Sequence, residues 1–192
     1  MQPNTFKTLV VKTRTFRRFY QAQRVKRADL LELVNLARLS ASGGNLQPLK
    51  FSLSCDPQRN ARIFPCLAWA GYLKAWGGPV EGERPAAYII ILGDTTVRRE
   101  FGCDHGIAAQ SIMLGATVKG LGGCIIGSIK RERLRAGQAI PAKYEILLVL
   151  ALGRPIEKVI LEAVRDGDIK YWRDAKGRHH VPKRSLREIV LA

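Results

Sequence analysis

In Arg14-Thr15-Phe16-Arg17, two guanidinium groups flank a hydroxyl. Arginine forks match phosphate oxygens two at a time, and the threonine adds a third donor, so this run reads as a candidate anion site just after a helix. A second cluster, Ser42-Gly43-Gly44-Asn45-Leu46-Gln47-Pro48, sets Ser, Asn and Gln at i, i+3 and i+5 on a glycine-loosened backbone. Such a loop can hydrogen-bond a polar ring edge or a polyol; it reads equally as a turn whose side chains cap themselves. Gly120-Leu121-Gly122-Gly123 is a weaker signal, open to a helix stop or a phosphate cradle. The histidines are His105, His179 and His180. Cys103-x-His105 is too tight for zinc and has no second ligand pair, so no metal is expected. A Cys/His nucleophile such as Cys103 with His179 has no motif behind it.

These groups sit in a strongly basic chain. Of 192 residues, 32 are Lys or Arg and 16 are Asp or Glu, a formal charge of +16. Such a surplus points to anionic partners: nucleic acid, acidic lipid or a phosphate-bearing cofactor. It is richest at the start, where residues 1–38 carry nine bases against two acids, and weakest over residues 43–127, with eight against six. Because the bases are interspersed with apolar residues, a solvated basic face is the alternative to a specific site. With 46% hydrophobic residues the chain is long enough to bury one core, and a single domain over 1–192 is expected. No apolar run approaches the ~18 residues a membrane helix needs. MQPNTFKTLVVKTR lacks a signal-peptide core with a cleavage site. Cys55, Cys66, Cys103 and Cys124 are scattered and are read as reduced thiols of a cytoplasmic protein.

The elements that must position the clusters follow from periodicity. Phe6, Leu9 and Val10 predict a short helix over 5–13; Leu30, Leu31, Val34 and Ala37 predict a firmer one over 28–39, ending at the Ser42 loop. Leu49, Phe51, Leu53 and Cys55 alternate with polar residues as in a half-buried strand. The runs at 86–93 and 145–152 read as strands buried on both faces. Residues 104–119 are apolar almost all round and predict a central buried helix; 130–136 predicts a short basic one. Trp69, Tyr72 and Trp76, at i, i+3 and i+7, would form one aromatic stripe if helical, either core or a lid. The last forty residues are mixed and polar until Leu186–Leu191. The order predicts an α+β sandwich, a central sheet with a helical layer.

Several of these segments, in order, resemble the nitroreductase family of flavoproteins. Arg14-x-x-Arg17 is similar to its N-terminal motif. Ala37-Arg38-Leu39-Ser40-Ala41-Ser42-Gly43-Gly44-Asn45-Leu46-Gln47-Pro48 is similar to A-R-x-A-P-S-x-x-N-x-Q-P-W. Gly120-Leu121-Gly122-Gly123-Cys124-Ile125-Ile126-Gly127 resembles GLG-x-C-x-IG, and Leu150-Ala151-Leu152-Gly153-Arg154-Pro155 resembles an LGYP strand end. Val181-Pro182-Lys183-Arg184-Ser185-Leu186 resembles the closing basic motif. Thr15 stands where Ser is usual, Ala41 replaces Pro, and Leu49 replaces an aromatic.

The resemblance implies an α/β/α sandwich with a mostly antiparallel central sheet and an intertwined homodimer. It implies FMN as cofactor, and NAD(P)H-driven reduction of nitroaromatics, quinones or related small acceptors. Carried across, Arg14, Thr15 and Arg17 hold the FMN phosphate and ribityl chain, and Lys183 and Arg184 complete the phosphate site. Ser42, Gly43, Asn45 and Gln47 reach a flavin seated mainly on the other subunit, and the backbone of Ile126 and Gly127 approaches the ring. The flavin carries the redox chemistry, so no side chain is assigned as catalytic. Two other readings are a flavin-binding storage or sensing protein with little turnover, and a nucleic-acid binder. Against the last, no zinc-finger, RNP-type or KH-type motif is present and the bases are not interleaved with aromatics, so only salt-sensitive, sequence-blind binding is expected.

Overall fold

Two strands of nearly unbroken apolar sequence form the centre of the molecule. The computed structural model describes residues 3–191; the first two and the last residue of the expected 1–192 domain lie outside the described residues. β1 (Leu49–Ser54), β2 (Ala87–Asp94), β3 (Gly122–Ile126) and β4 (Tyr144–Gly153) make one sheet in the order β1-β2-β4-β3, with every pairing antiparallel. β2 is buried along its whole length, as its sequence predicts. Successive side chains of a strand point to opposite faces, so β2 and β4 feed two cores. Ile89, Ile91, Leu150 and Leu152 face one, and Tyr88, Ile90, Val149 and Ala151 the other.

The first core is covered by α2 (Arg27–Arg38) and α4 (Asp104–Val118), α2 contributing Leu30, Leu33 and Ala37 at helical spacing. The two helices pack closely at Gly115, where a Cβ would run into Leu36 and Leu33. α1 (Pro3–Lys12) packs on the same layer. The second core is covered by α3 (Pro57–Ile63), α5 (Arg131–Gln138) and the segment between α3 and β2. Helices on both faces of an antiparallel sheet give the expected α/β/α sandwich.

α4 is less enclosed than its sequence predicts. Ala108, Ala109, Ile112, Met113 and Ala116 are buried, but Ile107 and Val118 are exposed. Val10 and Val11 of α1, Leu31 of α2 and Leu39 just after it are exposed as well. α4 ends at Gly120 (φ 70°): Gly120 N–H donates to Thr117 O at 3.1 Å and Leu121 N–H to Ala116 O at 2.9 Å, the paired bonds of a Schellman stop.

One expectation is corrected, and one segment that the sequence leaves unassigned proves to be a sheet. The Trp69–Trp76 segment is not helical: residues 67–85 are a chain of turns carrying Gly71, Gly77, Gly78, Pro79 and Gly82, which break helix propagation. Trp69 and Trp76 reach the second core separately, and Tyr72 is exposed, its ring tilted 51° against that of Tyr171 with centroids 4.9 Å apart. The polar C-terminal segment is also structured. β5 (Val159–Ala163), β6 (Trp172–Arg173) and β7 (His179–Lys183) form a second sheet, with β5 parallel and β6 antiparallel to β7. A short helix, α6 (Leu186–Ile189), follows.

Candidate functional site

The Arg14 run is placed by contacts on both sides. Thr15 pairs with Gly123 at the free edge of β3, and Phe16 N–H donates to Gly123 O at 2.8 Å. This approach explains the glycine cluster beyond Gly120. A Cβ on Gly122 would strike Phe16 and Pro155, and one on Gly123 would lie 2.5 Å from Ala151 O. On the other side, the carboxylate of Glu157 accepts the backbone N–H groups of Arg17 and Arg18. Glu157 also pairs with Arg173 at 3.1 Å, its side chain fully buried. A buried carboxylate so engaged ties the Arg17–Arg18 main chain to Arg173.

The result is a cavity of about 310 Å³ between α4, β3 and the C-terminal sheet, its walls including Arg14, Thr15, Arg17, Ile125, Tyr171 and Lys183. Three cations and no carboxylate face it. Arg17 is 8% exposed. Its Nη1 lies 3.1 Å from His179 Nε2, and its guanidinium lies over the Tyr171 ring at 4.7 Å. Arg14 Nη2 donates to Val10 O at 2.7 Å, while burial lowers its pKa from the ordinary arginine value. Two buried polar atoms of the cavity wall, Arg14 Nε and His179 Nδ1, have no partner among the described residues. Unpaired buried donors beside three cations suit an anionic group rich in acceptor oxygens, which is the chemistry of a phosphorylated polyol. The residues present therefore fit FMN.

The other predicted residues fall differently. Lys183 lines the cavity; Arg184 is exposed and pairs with Glu188 at 3.6 Å. Ile125, not Ile126, turns its side chain to the cavity, since Ile126 alternates into the second core, and Gly127 follows at the exposed end of β3. The Ser42 loop is not part of this cavity. It is anchored on the first residue of α4: Ser42 Oγ donates to Asp104 Oδ2 at 2.7 Å and Gly43 N–H to Asp104 Oδ1 at 2.9 Å. Burial alone would raise the Asp104 pKa, but these bonds outweigh it and hold the carboxyl below its ordinary value. The loop keeps Asn45 and Gln47 in left-handed backbone conformations (φ 53° and 51°), with Asn45 exposed. Ser42 and Gln47, with Phe51 and Ala108, line a second, apolar depression of about 150 Å³. The two hollows share no residue, but α4 runs between them, giving Asp104 and Ala108 to one and Gln110 and Met113 to the other. Cys103 and His179 are not brought together: Cys103 lines a third depression on α4, and His179 is held by Arg17.

Sequence reading missed Thr13, Gln110, Met113, Ile125, Tyr171, His179 and Val181 in the cavity wall. A signal for two of them existed. If Val181-Pro182-Lys183 is extended, His179, Val181 and Lys183 share one face, and all three line the cavity. His179 also sets a pH response. Burial lowers its pKa from 6.5 to about 4, with Arg17, Arg173 and His180 pushing the same way. The unfolded imidazole takes a proton near 6.5 and the folded one only near 4, so acid favours unfolding within that window. Urea titrations of the ligand-free protein are expected to lose about 3 kcal/mol of His179-dependent stability between those pH values. His179→Gln should flatten that slope; an unchanged slope would show that His179 is not the group responsible.

Comparison with known proteins gives the following. A model of the nitroreductase family matches residues 10–154. The fold is similar to that of a nitroreductase family protein from Streptococcus pneumoniae (TM-score 0.68, 18% identity, 83% of this chain and 94% of that one). It is similar to an FMN-dependent nitroreductase from Clostridium difficile (TM-score 0.64, 22% identity, 83% and 92%). A candidate NADH dehydrogenase/NAD(P)H nitroreductase from Bacteroides thetaiotaomicron matches over 95% of this chain and 100% of its own (TM-score 0.67, 20% identity). Tyr171, His179 and Lys183 lie beyond the span matched by the family model.

Proposed function

The chain belongs to the nitroreductase family, and from that premise we propose that it is an FMN-dependent oxidoreductase using NADH or NADPH to reduce nitroaromatic, quinone or related small acceptors. The observation that carries this reading is the Arg14 cavity, with three cations, no facing carboxylate and two buried polar atoms awaiting partners. The flavin, when bound, supplies the hydride acceptance and onward electron transfer that the side chains do not. The protein's share is binding, orientation and electrostatics. Arg14, Arg17 and Lys183 hold the anionic part, and Thr15 adds a hydroxyl donor. Arg184 joins them by leaving Glu188. The main chain at Ile126 and Gly127 helps hold the ring, and the cations also favour negative charge gained on reduction.

The whole chain acts as one FMN-binding domain, and its working form is a homodimer. The Ser42 loop and the Arg14 cavity meet the same helix, α4 giving Asp104 and Ala108 to the hollow beside the loop and Gln110 and Met113 to the cavity. A second subunit packed on the α1, α2 and α4 layer brings Ser42, Gly43, Asn45 and Gln47 to the flavin held by its neighbour. The cavity of one subunit is at the small end for a ligand site, in keeping with a site completed by two chains. Among the described residues no helix is long and apolar enough to cross a membrane. The cysteines are free thiols, and the cytoplasm is the proposed location.

Steady-state kinetics test the reading. Nicotinamide and acceptor are proposed to share one pocket over the cofactor, so the nicotinamide leaves before the acceptor enters. Turnover is expected to depend on FMN, with parallel double-reciprocal lines when both substrates are varied. Intersecting lines would mean that both substrates are bound at once and would contradict the single shared pocket.

A further inference from the structure

His179 is 1% exposed, yet it carries a ring nitrogen with no partner. The other nitrogen settles the chemistry. Nε2 lies 3.1 Å from Nη1 of Arg17, and a guanidinium has donors only, so Nε2 accepts. In a neutral imidazole the proton then sits on Nδ1. The ring is neutral near pH 7, because burial lowers its pKa to about 4 and the flanking cations act in the same direction. Nδ1–H is therefore a buried donor. The nearby carboxylate does not take it: Glu157 is used by the backbone N–H groups of Arg17 and Arg18 and by Arg173. Tyr171 packs against the imidazole at a tilt of 46°, with centroids 5.1 Å apart, and lies under the Arg17 guanidinium, holding both rotamers. A rigid donor buried without a partner is costly unless a ligand supplies the acceptor. The cavity that His179 lines is where such a ligand would sit.

We infer that His179 is a further binding residue, whose Nδ1–H donates to an acceptor oxygen of the flavin cofactor, and that Arg17 acts partly through it by fixing the tautomer. This rests on the FMN reading above. A basic motif is read from Lys183 and Arg184, but here a neutral donor two turns of the pleat earlier on the same strand face does part of the work.

The test compares binding of FMN and of riboflavin, read by quenching of flavin fluorescence, in wild type, His179→Gln and His179→Asn. Glutamine keeps an acceptor where Nε2 meets Arg17 but removes the donor at Nδ1; asparagine places an amide at the Nδ1 position. His179→Gln is expected to lose FMN affinity about tenfold or more, the scale of a hydrogen bond to a charged or strongly polar group. His179→Asn should recover most of it. Loss confined to FMN assigns the phosphate as acceptor, and loss for both flavins assigns the ribityl chain or ring; either supports the inference. Wild-type affinity in His179→Gln overturns it while leaving the FMN reading intact. A wild-type protein that binds neither flavin overturns both. If the variants do not fold, a long-range ¹H–¹⁵N spectrum of the histidine-labelled wild type decides: a protonated Nδ1 that shifts when FMN is added supports the assignment, and a protonated Nε2 or an unmoved Nδ1 refutes it.

Discussion

Arg17→Ala is expected to weaken FMN binding more than a hundredfold, about 3 kcal/mol or above, in a fluorescence titration. A hydrogen bond to a charged group contributes about 1.5–3 kcal/mol, and Arg17 brings more than one interaction. Its guanidinium faces the cavity, lies over Tyr171, and fixes the His179 tautomer. The segment that carries it should survive, because Glu157 grips the main-chain N–H groups of Arg17 and Arg18, not the guanidinium. The loss is therefore expected in binding with a nearly unchanged far-UV spectrum. Arg14→Ala should cost less, about 1.5–3 kcal/mol, since one of its nitrogens is committed to Val10 O. Riboflavin, which lacks the phosphate, should distinguish wild type from Arg14→Ala poorly. Wild-type FMN affinity in both variants would remove the cavity from the account.

The second large effect concerns assembly. Sedimentation at micromolar concentration is expected to give a dimer of the 21.4 kDa chain, with a melting temperature that rises with protein concentration. Leu39 is 66% exposed and Leu191 93%, and Ile107, Val118, Leu186, Ile189 and Val190 are exposed as well. So much apolar surface on one small chain calls for a partner. An obligate interface above about 2,000 Å² is expected. The double variant Leu39→Glu, Ile107→Glu places charge beside the Ser42 loop without touching the Arg14 cavity. It should yield a monomer that has lost most of its FMN affinity. A folded, FMN-bound monomer would contradict the homodimer and with it the roles proposed for Ser42 and Asn45.

What the sequence disclosed depended on how local the signal was. β2, β4 and α2 were legible because burial on a fixed face writes a period or a continuous apolar run into adjacent residues. Arg14 and Arg17 were legible because a phosphate-seeking pair leaves a short pattern. The aromatic spacing of Trp69, Tyr72 and Trp76 gives no helix because Gly71 interrupts it and Gly77, Gly78, Pro79 and Gly82 follow at once. The C-terminal sheet was invisible for a different reason. β5 and β7 are half exposed and pair in parallel across fifteen intervening residues, so neither carries a run that announces its partner. That sheet delivers Tyr171 and His179 to the cavity, a wall that no local pattern in the sequence marks. The grip of Asp104 on the Ser42 loop spans 62 residues and could emerge only from the packing of α4 against α2.

The central claim is that this chain binds a flavin and turns it over. Anaerobic mixing of the FMN-loaded protein with NADH or NADPH tests it most directly, with the flavin absorbance as the readout. Rapid bleaching by at least one of the two nucleotides is expected, with recovery of the absorbance when a nitroaromatic or a quinone is added. Bound flavin that neither nucleotide bleaches would contradict it and leave a flavin-holding protein in place of an enzyme.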